Sequence, residues 1–268
     1  DYQAQLKQVQ AVKTNYQQNQ TAMFDLMDDV KNKKARVGSL EAILKNHSHF
    51  YAGVKSVLQE AERLGGIIGA VSEKLSFDSH YQTALEIALG ASSQHIIVED
   101  EQAATRAIEF LKRNRTGRAT FLPLTTIKAR HLPDHHQASI EKSTGFLGLA
   151  SSLVHYDKSL EHIFQNLLGT TAIFDTVENA RAAARKVRYQ VRIVTLDGTE
   201  LRTGGSYAGG ANRNNNTIFI KPELDALQME LSEKNATLAE QEKQVEDLHT
   251  QLSQANSLLE EIKASGEE

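Results

Sequence analysis

The chain has 268 residues, a hydrophobic share of 40%, a charged share of 24% and a net charge of −4, an ordinary globular composition with room for one large core or two small ones. It contains no cysteine, which excludes a disulfide framework, a thiol nucleophile and a thiolate metal site, and is consistent with a reducing cytoplasm. No apolar run approaches the roughly 20 residues of a membrane span, and nothing reads as a signal peptide. Charge is unevenly distributed: residues 1–49 are net +2, residues 50–222 net +3 and residues 223–268 net −9, so local patches decide any affinity for nucleic acid.

The chain opens inside helical sequence and closes inside it, and so reads as a piece of something longer. Its first segment is free of proline and follows a seven-residue period: Tyr2, Val9, Tyr16, Met23, Val30, Val37, Leu44, Tyr51 and Leu58 share one register. Four residues after each of the first five comes a weaker row, Leu6, Lys13, Gln20, Met27 and Lys34. The last segment repeats the period in Leu224, Leu231, Leu238, Val245, Leu252 and Leu259, with Leu227, Lys234, Gln241, Leu248, Ala255 and Ile262 three residues further on. A helix packed on a globule follows a period of 3.6 and loses register over so many repeats, so the pattern predicts a supercoiled pair. Both arms join the same globule, which makes them antiparallel. Polar seam residues (Lys13, Gln20, Lys34, Lys234, Gln241) weaken such a pair and help to fix its register.

Between the arms the sequence repeats itself. Residues 66–90 (GIIGAVSEKLSFDSHYQTALEIALG) and 145–169 (GFLGLASSLVHYDKSLEHIFQNLLG) match at an offset of 79, with Gly66/Gly145, Gly69/Gly148, Asp78/Asp157 and Gly90/Gly169 coinciding. Each aspartate is placed to cap a helix that the last glycine ends. Strands are expected at 95–99 and 171–175, each followed by an alanine-lined helix (Ala103, Ala107, Leu111; Ala180, Ala184, Val187), then strands at 119–122 and 191–194. Two similar subdomains follow from this, joined near residues 131–144. Asp197-Gly198 reads as a hairpin turn. The segment GGSYAGG then puts Gly204, Gly205, Gly209 and Gly210 within seven positions, followed by an asparagine-rich loop, a strand at 218–221, and Pro222 in the first turn of the returning arm.

A heptad arm entering through FYAGVKSVL, then LGGIIGAV, GFLG and TLDG…GGSYAGG leading into a second heptad arm, resembles the hinge of bacterial SMC (structural maintenance of chromosomes) proteins. The resemblance implies an α+β (mixed α/β) globular hinge of two similar subdomains, flanked by an antiparallel two-helix coiled coil. It divides the chain into an arm at 1–49, a hinge at 50–222 (subdomains about 64–130 and 140–211) and an arm at 223–268. It further implies a cytoplasmic, nucleoid-associated homodimer serving chromosome condensation and segregation, with ATPase heads and accessory condensin subunits at the far ends of the arms. Subdomain one of each protomer meets subdomain two of the other, and the resemblance places Gly204, Gly205, Ser206, Tyr207, Gly209 and Gly210, with Gly66 and Gly69, at that interface. Weak, non-specific DNA contact is expected near the arm junction. Some relatives carry consecutive lysines after the glycine segment; here Asn212-Arg213-Asn214 stands instead, leaving Arg213 and Lys221.

No chemistry competes with this reading. GGSYAGG lacks the Lys-Ser/Thr of a phosphate-binding loop and the pattern of a nucleophile elbow, so no cofactor and no catalytic residue is expected in this piece. Glycine there suits close approach of another backbone, or an ordinary turn. The histidines show no metal-ligand spacing, and a zinc hook would need the absent cysteines. The run Lys112, Arg113, Arg115 and Arg118 suits either a helix C-terminus or a phosphate contact, without aromatic interleaving. Two functions remain: a homodimerising connector with modest DNA affinity, or a DNA-binding module whose self-association is incidental.

Overall fold

The computed structural model describes residues 1–211 and 218–266, which divide into a globular unit, Ile43–Pro222, and a helical unit made of Asp1–Ala42 with the segment from Glu223. In chain order, α1 (Tyr2–Asn46) ends at a turn in which His47 takes a left-handed conformation (φ 51°). Next come α2 (Ala52–Gln59), α3 (Ala61–Leu64), β1 (Ile67–Ala70), β2 (Leu75–Phe77), α4 (Gln82–Leu89), β3 (Ile96–Val98), α5 (Glu101–Asn114) and β4 (Phe121–Pro123). The second repeat holds α6 (Asp134–Glu141), β5 (Phe146–Leu149), β6 (Val154–Tyr156), α7 (Glu161–Leu168), β7 (Thr171–Phe174), α8 (Val177–Lys186) and β8 (Arg192–Thr195). A hairpin, β9 (Glu200–Leu201) and β10 (Tyr207–Ala208), follows it, and α9 (Ile220–Gly266) closes the chain.

Two expectations change here. The strand read at 218–221 is not formed: Ile218 and Phe219 lead into α9, which starts at Ile220, with Pro222 in a first turn whose N–H groups have no helical partner to lose. Tyr51 and Leu58 do not continue the arm. α1 stops at Asn46, Tyr51 is 72% exposed, and Leu58 is buried in the globule. Their seven-residue spacing is coincidental, because α2 packs on α5 as a separate helix.

The two repeats build matching sheets. β1 runs antiparallel to β3 and β3 parallel to β4, while β5 runs antiparallel to β7 and β7 parallel to β8. Each first strand carries a bulge, between Ile67 and Gly69 and again between Phe146 and Gly148, where the glycines stand at φ 147° and 152°. Asp78 and Asp157 each accept a backbone N–H two residues on, from His80 and Ser159 at 2.9 Å, and start a 3-10 turn that leads into α4 or α7. β2 and β6 pair with each other, Ser76 opposite His155, so the repeats meet across an approximate internal twofold.

Alternation along the strands divides the core into three. Ile96 and Val98 face α5 with Ala103, Ala107 and Leu111, whereas Ile97 faces the other way. Ala172 and Phe174 likewise face α8, whereas Ile173 joins Ile97, Leu85, Leu89, Phe164 and Leu168 in a core shared by both repeats. Neither repeat can bury that inner face alone.

In the helical unit, Val9, Val30 and Leu40 are buried from α1 and Val245 from α9. The row read along α9 is the seam: Leu224 and Val245 are buried, and Leu227, Leu231, Lys234, Leu238, Gln241, Leu248, Leu252, Ala255, Leu259 and Ile262 are half-buried. On α1 the first row is buried or half-buried from Val9 to Leu44, with Tyr2 39% exposed, but its more consistent companion lies three residues on, not four. Val12, Asn19, Leu26 and Lys33 are half-buried and Leu40 is fully buried, whereas of the four-step row Leu6 and Gln20 are half-buried and Lys13, Met27 and Lys34 are exposed. Lys33 reaches Asp29 at 3.1 Å and Glu230 at 3.6 Å, while Lys234 pairs with Asp29 and lies 3.6 Å from Glu230. Two seam lysines thus share two carboxylates, which favours one antiparallel register over its slips.

Phe164 is fully buried in the shared core and stacks on Tyr156 at a ring separation of 4.7 Å. Phe164→Ala should lower the stability of the globule by about 3–5 kcal/mol. Because both repeats lean on this side chain, urea unfolding followed by fluorescence and by circular dichroism should shift as one coincident transition, not two.

Candidate self-association site

The hairpin that extends the second sheet begins at Thr195, whose hydroxyl contacts the Asp197 carboxylate, with Gly198 at φ 89° in the turn. β9 lies on β8, and β10 lies on β9 through Tyr207 opposite Leu201. The intervening turn is pinned at three points: Arg202 N donates to Ser206 O at 2.8 Å, Gly205 N to Arg202 O at 3.0 Å and Gly204 N to Tyr189 O at 2.9 Å. The Tyr189 and Tyr207 hydroxyls lie 2.8 Å apart, and this hydrogen bond, more than burial, pushes the Tyr207 phenol above its usual range. Gly204, Gly205, Ser206, Tyr207, Gly209 and Gly210 therefore share one exposed ridge at the sheet's end.

The glycines on that ridge have different causes. Gly204, Gly205 and Gly210 stand at φ 96°, 103° and 129°, which a side chain would resist whatever surrounds it. Gly209 has no such backbone, and a Cβ there would meet only Thr199 at 3.4 Å, an ordinary contact. The chain itself therefore does not require glycine at 209. Gly66 and Gly69 answer to their own subdomain: a Cβ on Gly66 would lie 2.6 Å from Ala103, and one on Gly69 2.7 Å from the Lys74 side chain. Both belong to the β1 bulge region, in the other sheet from the 204–210 ridge.

Beside the ridge lies an open cleft of about 520 Å³, between Ile87 and Gly90 at the end of α4 and Gly209–Gly210 beyond β10. Its floor is a charge cluster. Arg192 donates to Ile87 O at 3.0 Å, Ala88 O at 2.7 Å and Glu200 Oε2 at 2.7 Å, and Arg202 Nε donates to Glu200 Oε1 at 2.5 Å. One guanidinium thus ties the last carbonyls of α4 in the first repeat to the hairpin of the second. Burial pushes the Glu200 carboxyl up, but the hydrogen bonds from Arg202 and Arg192 outweigh it and hold the group below its ordinary value. Sequence reasoning passes over this cluster, because nothing in the spacing of Arg192 points to residues 87 and 88.

Each sheet ends in an outer strand with an unpaired edge among the described residues, β4 in one and β10 in the other. The strand order is β1-β3-β4 in one and β10-β9-β8-β7-β5 in the other. Within the repeat β4 corresponds to β8, yet β8 carries β9 on its outer side while β4 carries nothing among the described residues.

The expected DNA contacts are scattered. Lys112 and Arg113 occupy the last turn of α5, Arg115 caps it, and Arg118 precedes β4, all four exposed. Lys221 is exposed in the first turn of α9, and Arg213 lies outside the described residues. The turn at 47–51 holds a feature the histidine spacing did not suggest. Neither ring nitrogen of His49 has a partner, nor do His47 Nδ1, His95 Nδ1 and Glu73 Oε1. Burial, and next the His47 charge, bring His49 down to about 4. Among the described residues no group of side chains is placed to hold a metal ion, and no helix is long and apolar enough to cross a membrane.

The family model "SMC proteins Flexible Hinge Domain" matches residues 64–184. Chromosome partition protein Smc of Bacillus subtilis is 41% identical over 88% of this chain and 20% of its own length, and that of Lactiplantibacillus plantarum 36% identical over 97% and 23%. The solved asymmetric dimer of the Geobacillus stearothermophilus SMC hinge domain superposes with a TM-score of 0.85 at 37% identity, covering 92% of this chain and 98% of that one. The chain belongs to the SMC hinge domain family, with helices on either side that form a coiled coil. It spans about a fifth of the length of the curated relatives it matches.

A histidine whose folded pKa is depressed costs stability as pH falls below its unfolded value near 6.5, down to the folded value. His49 therefore destabilises the globule progressively between about pH 6.5 and 4. Burial lowers His95 in the same sense and raises Glu73, whose contribution has the opposite sign. The readout is therefore a difference: His49→Gln should show a smaller loss of urea midpoint than the parent across that window.

Proposed function

We propose that this domain joins two copies of its own chain, the free edge of β4 in each copy receiving the free edge of β10 from the other. The observation that carries this is the mismatch between the repeats. Among the described residues no strand takes beside β4 the position β9 fills beside β8, and an unpaired strand edge is a template for another strand. A twofold arrangement satisfies both edges of both copies and leaves no open end. Gly209, just after β10 and required by no contact among the described residues, is where a partner backbone would come near. The dimer named for the Geobacillus stearothermophilus hinge supports the same reading.

In this reading the fragment is a connector and not an enzyme. ATP hydrolysis belongs to heads outside it, and the longer protein acts in chromosome partition like the relatives it matches. The exposed cations add weak, sequence-independent contact with DNA, since no element resembles a groove-reading motif.

The glycine analysis selects the test. Gly209→Val should preserve the helical circular dichroism and the melting of each protomer, yet weaken self-association at least tenfold by sedimentation equilibrium, about 1.4 kcal/mol. Substitution at Gly204 or Gly210 would mix this effect with backbone strain. A Gly209→Val protein with unchanged mass and affinity would remove the hairpin from the interface.

A further inference from the structure

The internal repeat extends to charge as well as fold. α5 ends in Lys112-Arg113-Asn114-Arg115, and α8 ends in Arg185-Lys186-Val187-Arg188. Arg115 caps α5 at φ 51°, and Arg188 stands at φ 52° one residue past the Val187 cap of α8, followed by Tyr189 at φ 56°, so the chain leaves both helices through a left-handed arginine. Glycine or asparagine takes that position at little cost, and here arginine takes it twice. Basic residues favour a helix C-terminus, which accounts for Lys112, Arg113, Arg185 and Lys186 but does not call for arginine where a glycine would relieve the backbone. On α8 a fourth cation, Arg181, lies one turn before Arg185.

Arg181, Arg185 and Lys186 on α8 and Arg188 just beyond its end are exposed, and among the described residues none forms an ion pair, although Arg181 hydrogen-bonds Tyr207. Other arginines of this subdomain are neutralised: Arg192 and Arg202 both meet Glu200. Along the helix axis, positions 181 to 188 span about 10 Å. One strand of duplex DNA places about three phosphates in that axial distance. Guanidinium groups offer paired donors that fit phosphate oxygens, and they retain charge at any physiological pH.

We infer that Arg181, Arg185, Lys186 and Arg188 form a second phosphodiester-binding patch, the counterpart of Lys112, Arg113 and Arg115, so that each chain meets DNA through both subdomains. The inference rests on the DNA contact proposed above and places half of it on α8, where sequence reasoning put none. A homodimer then carries four patches, and affinity depends on simultaneous engagement more than on any one of them.

The test is the salt dependence of binding to a short duplex DNA between about 50 and 200 mM salt, where each lost phosphate contact shallows the log–log slope by about 0.9. One variant carries Arg181→Gln, Arg185→Gln and Arg188→Asn; a second carries Lys112→Gln, Arg113→Gln and Arg115→Asn. Asparagine tolerates the left-handed position, so both should fold and keep the parent mass. Each set should remove about half of the slope, and the two together nearly all of it. If the α5 set alone abolishes the slope and the α8 set leaves it unchanged, the α8 patch is wrong while the DNA contact stands. If the parent shows no salt-dependent binding, both fall. Equal binding of poly-glutamate would overturn the assignment to a phosphodiester. Should the triple α8 variant fail to fold, Arg181→Gln with Lys186→Gln leaves the left-handed residue in place and reads the same slope.

Discussion

The inner faces of the two sheets are apolar, and each can be covered only by the other repeat. Ile97 and Ile173, on strands that turn their neighbours towards α5 and α8, have nowhere to go except against Phe164, Leu85 and one another's sheet. That requirement places the repeats back to back across the β2–β6 pair and orients both sheets. The free edges of β4 and β10, the bulges after Gly66 and Gly145, and the basic helix ends all take their positions from it. Arg192 adds a directional tie, joining the carbonyl end of α4 to Glu200.

The repeats are alike in fold and unlike at one edge, and that inequality gives the globule something to do. Had both carried a β9–β10 hairpin, or had neither, the two sheets would offer edges of the same kind. With one hairpin, the chain has an edge to give and an edge to receive, which a single copy leaves unused and a pair of copies can match. The glycines fit this division of labour. Most answer to their own backbone, through positive φ or through close neighbours such as Ala103 at Gly66, and Gly209 alone on the ridge has no internal reason.

Much of this is visible in the sequence, because periodicity and repetition are local signals. The α9 seam reads correctly from Leu224 to Ile262, since its apolar rows keep a strict three-and-four step. α1 misleads because two of its true companion positions hold Asn19 and Lys33, so the apolar Met27 draws the eye to a row four residues on, and the structure leaves it 42% exposed. Lys33 sits in the seam because Asp29 and Glu230 accept it, a contact no single-helix pattern displays. Tyr51 and Leu58 mislead through chance spacing across a turn. The Arg192 cluster is illegible for a different reason: its partners at 87 and 88 lie in the other repeat, and only the shared core brings them near.

The central claim is that β4 of one copy lies beside β10 of the other, and the absence of cysteine makes it directly measurable. Thr125 follows β4 and Ser206 precedes β10, and both are exposed. One protein carrying Thr125→Cys and another carrying Ser206→Cys, refolded together and treated with a short bismaleimide, should give a covalent dimer that neither yields alone. A mixture that stays uncrosslinked, or single variants that crosslink as readily as the mixture, would contradict the account.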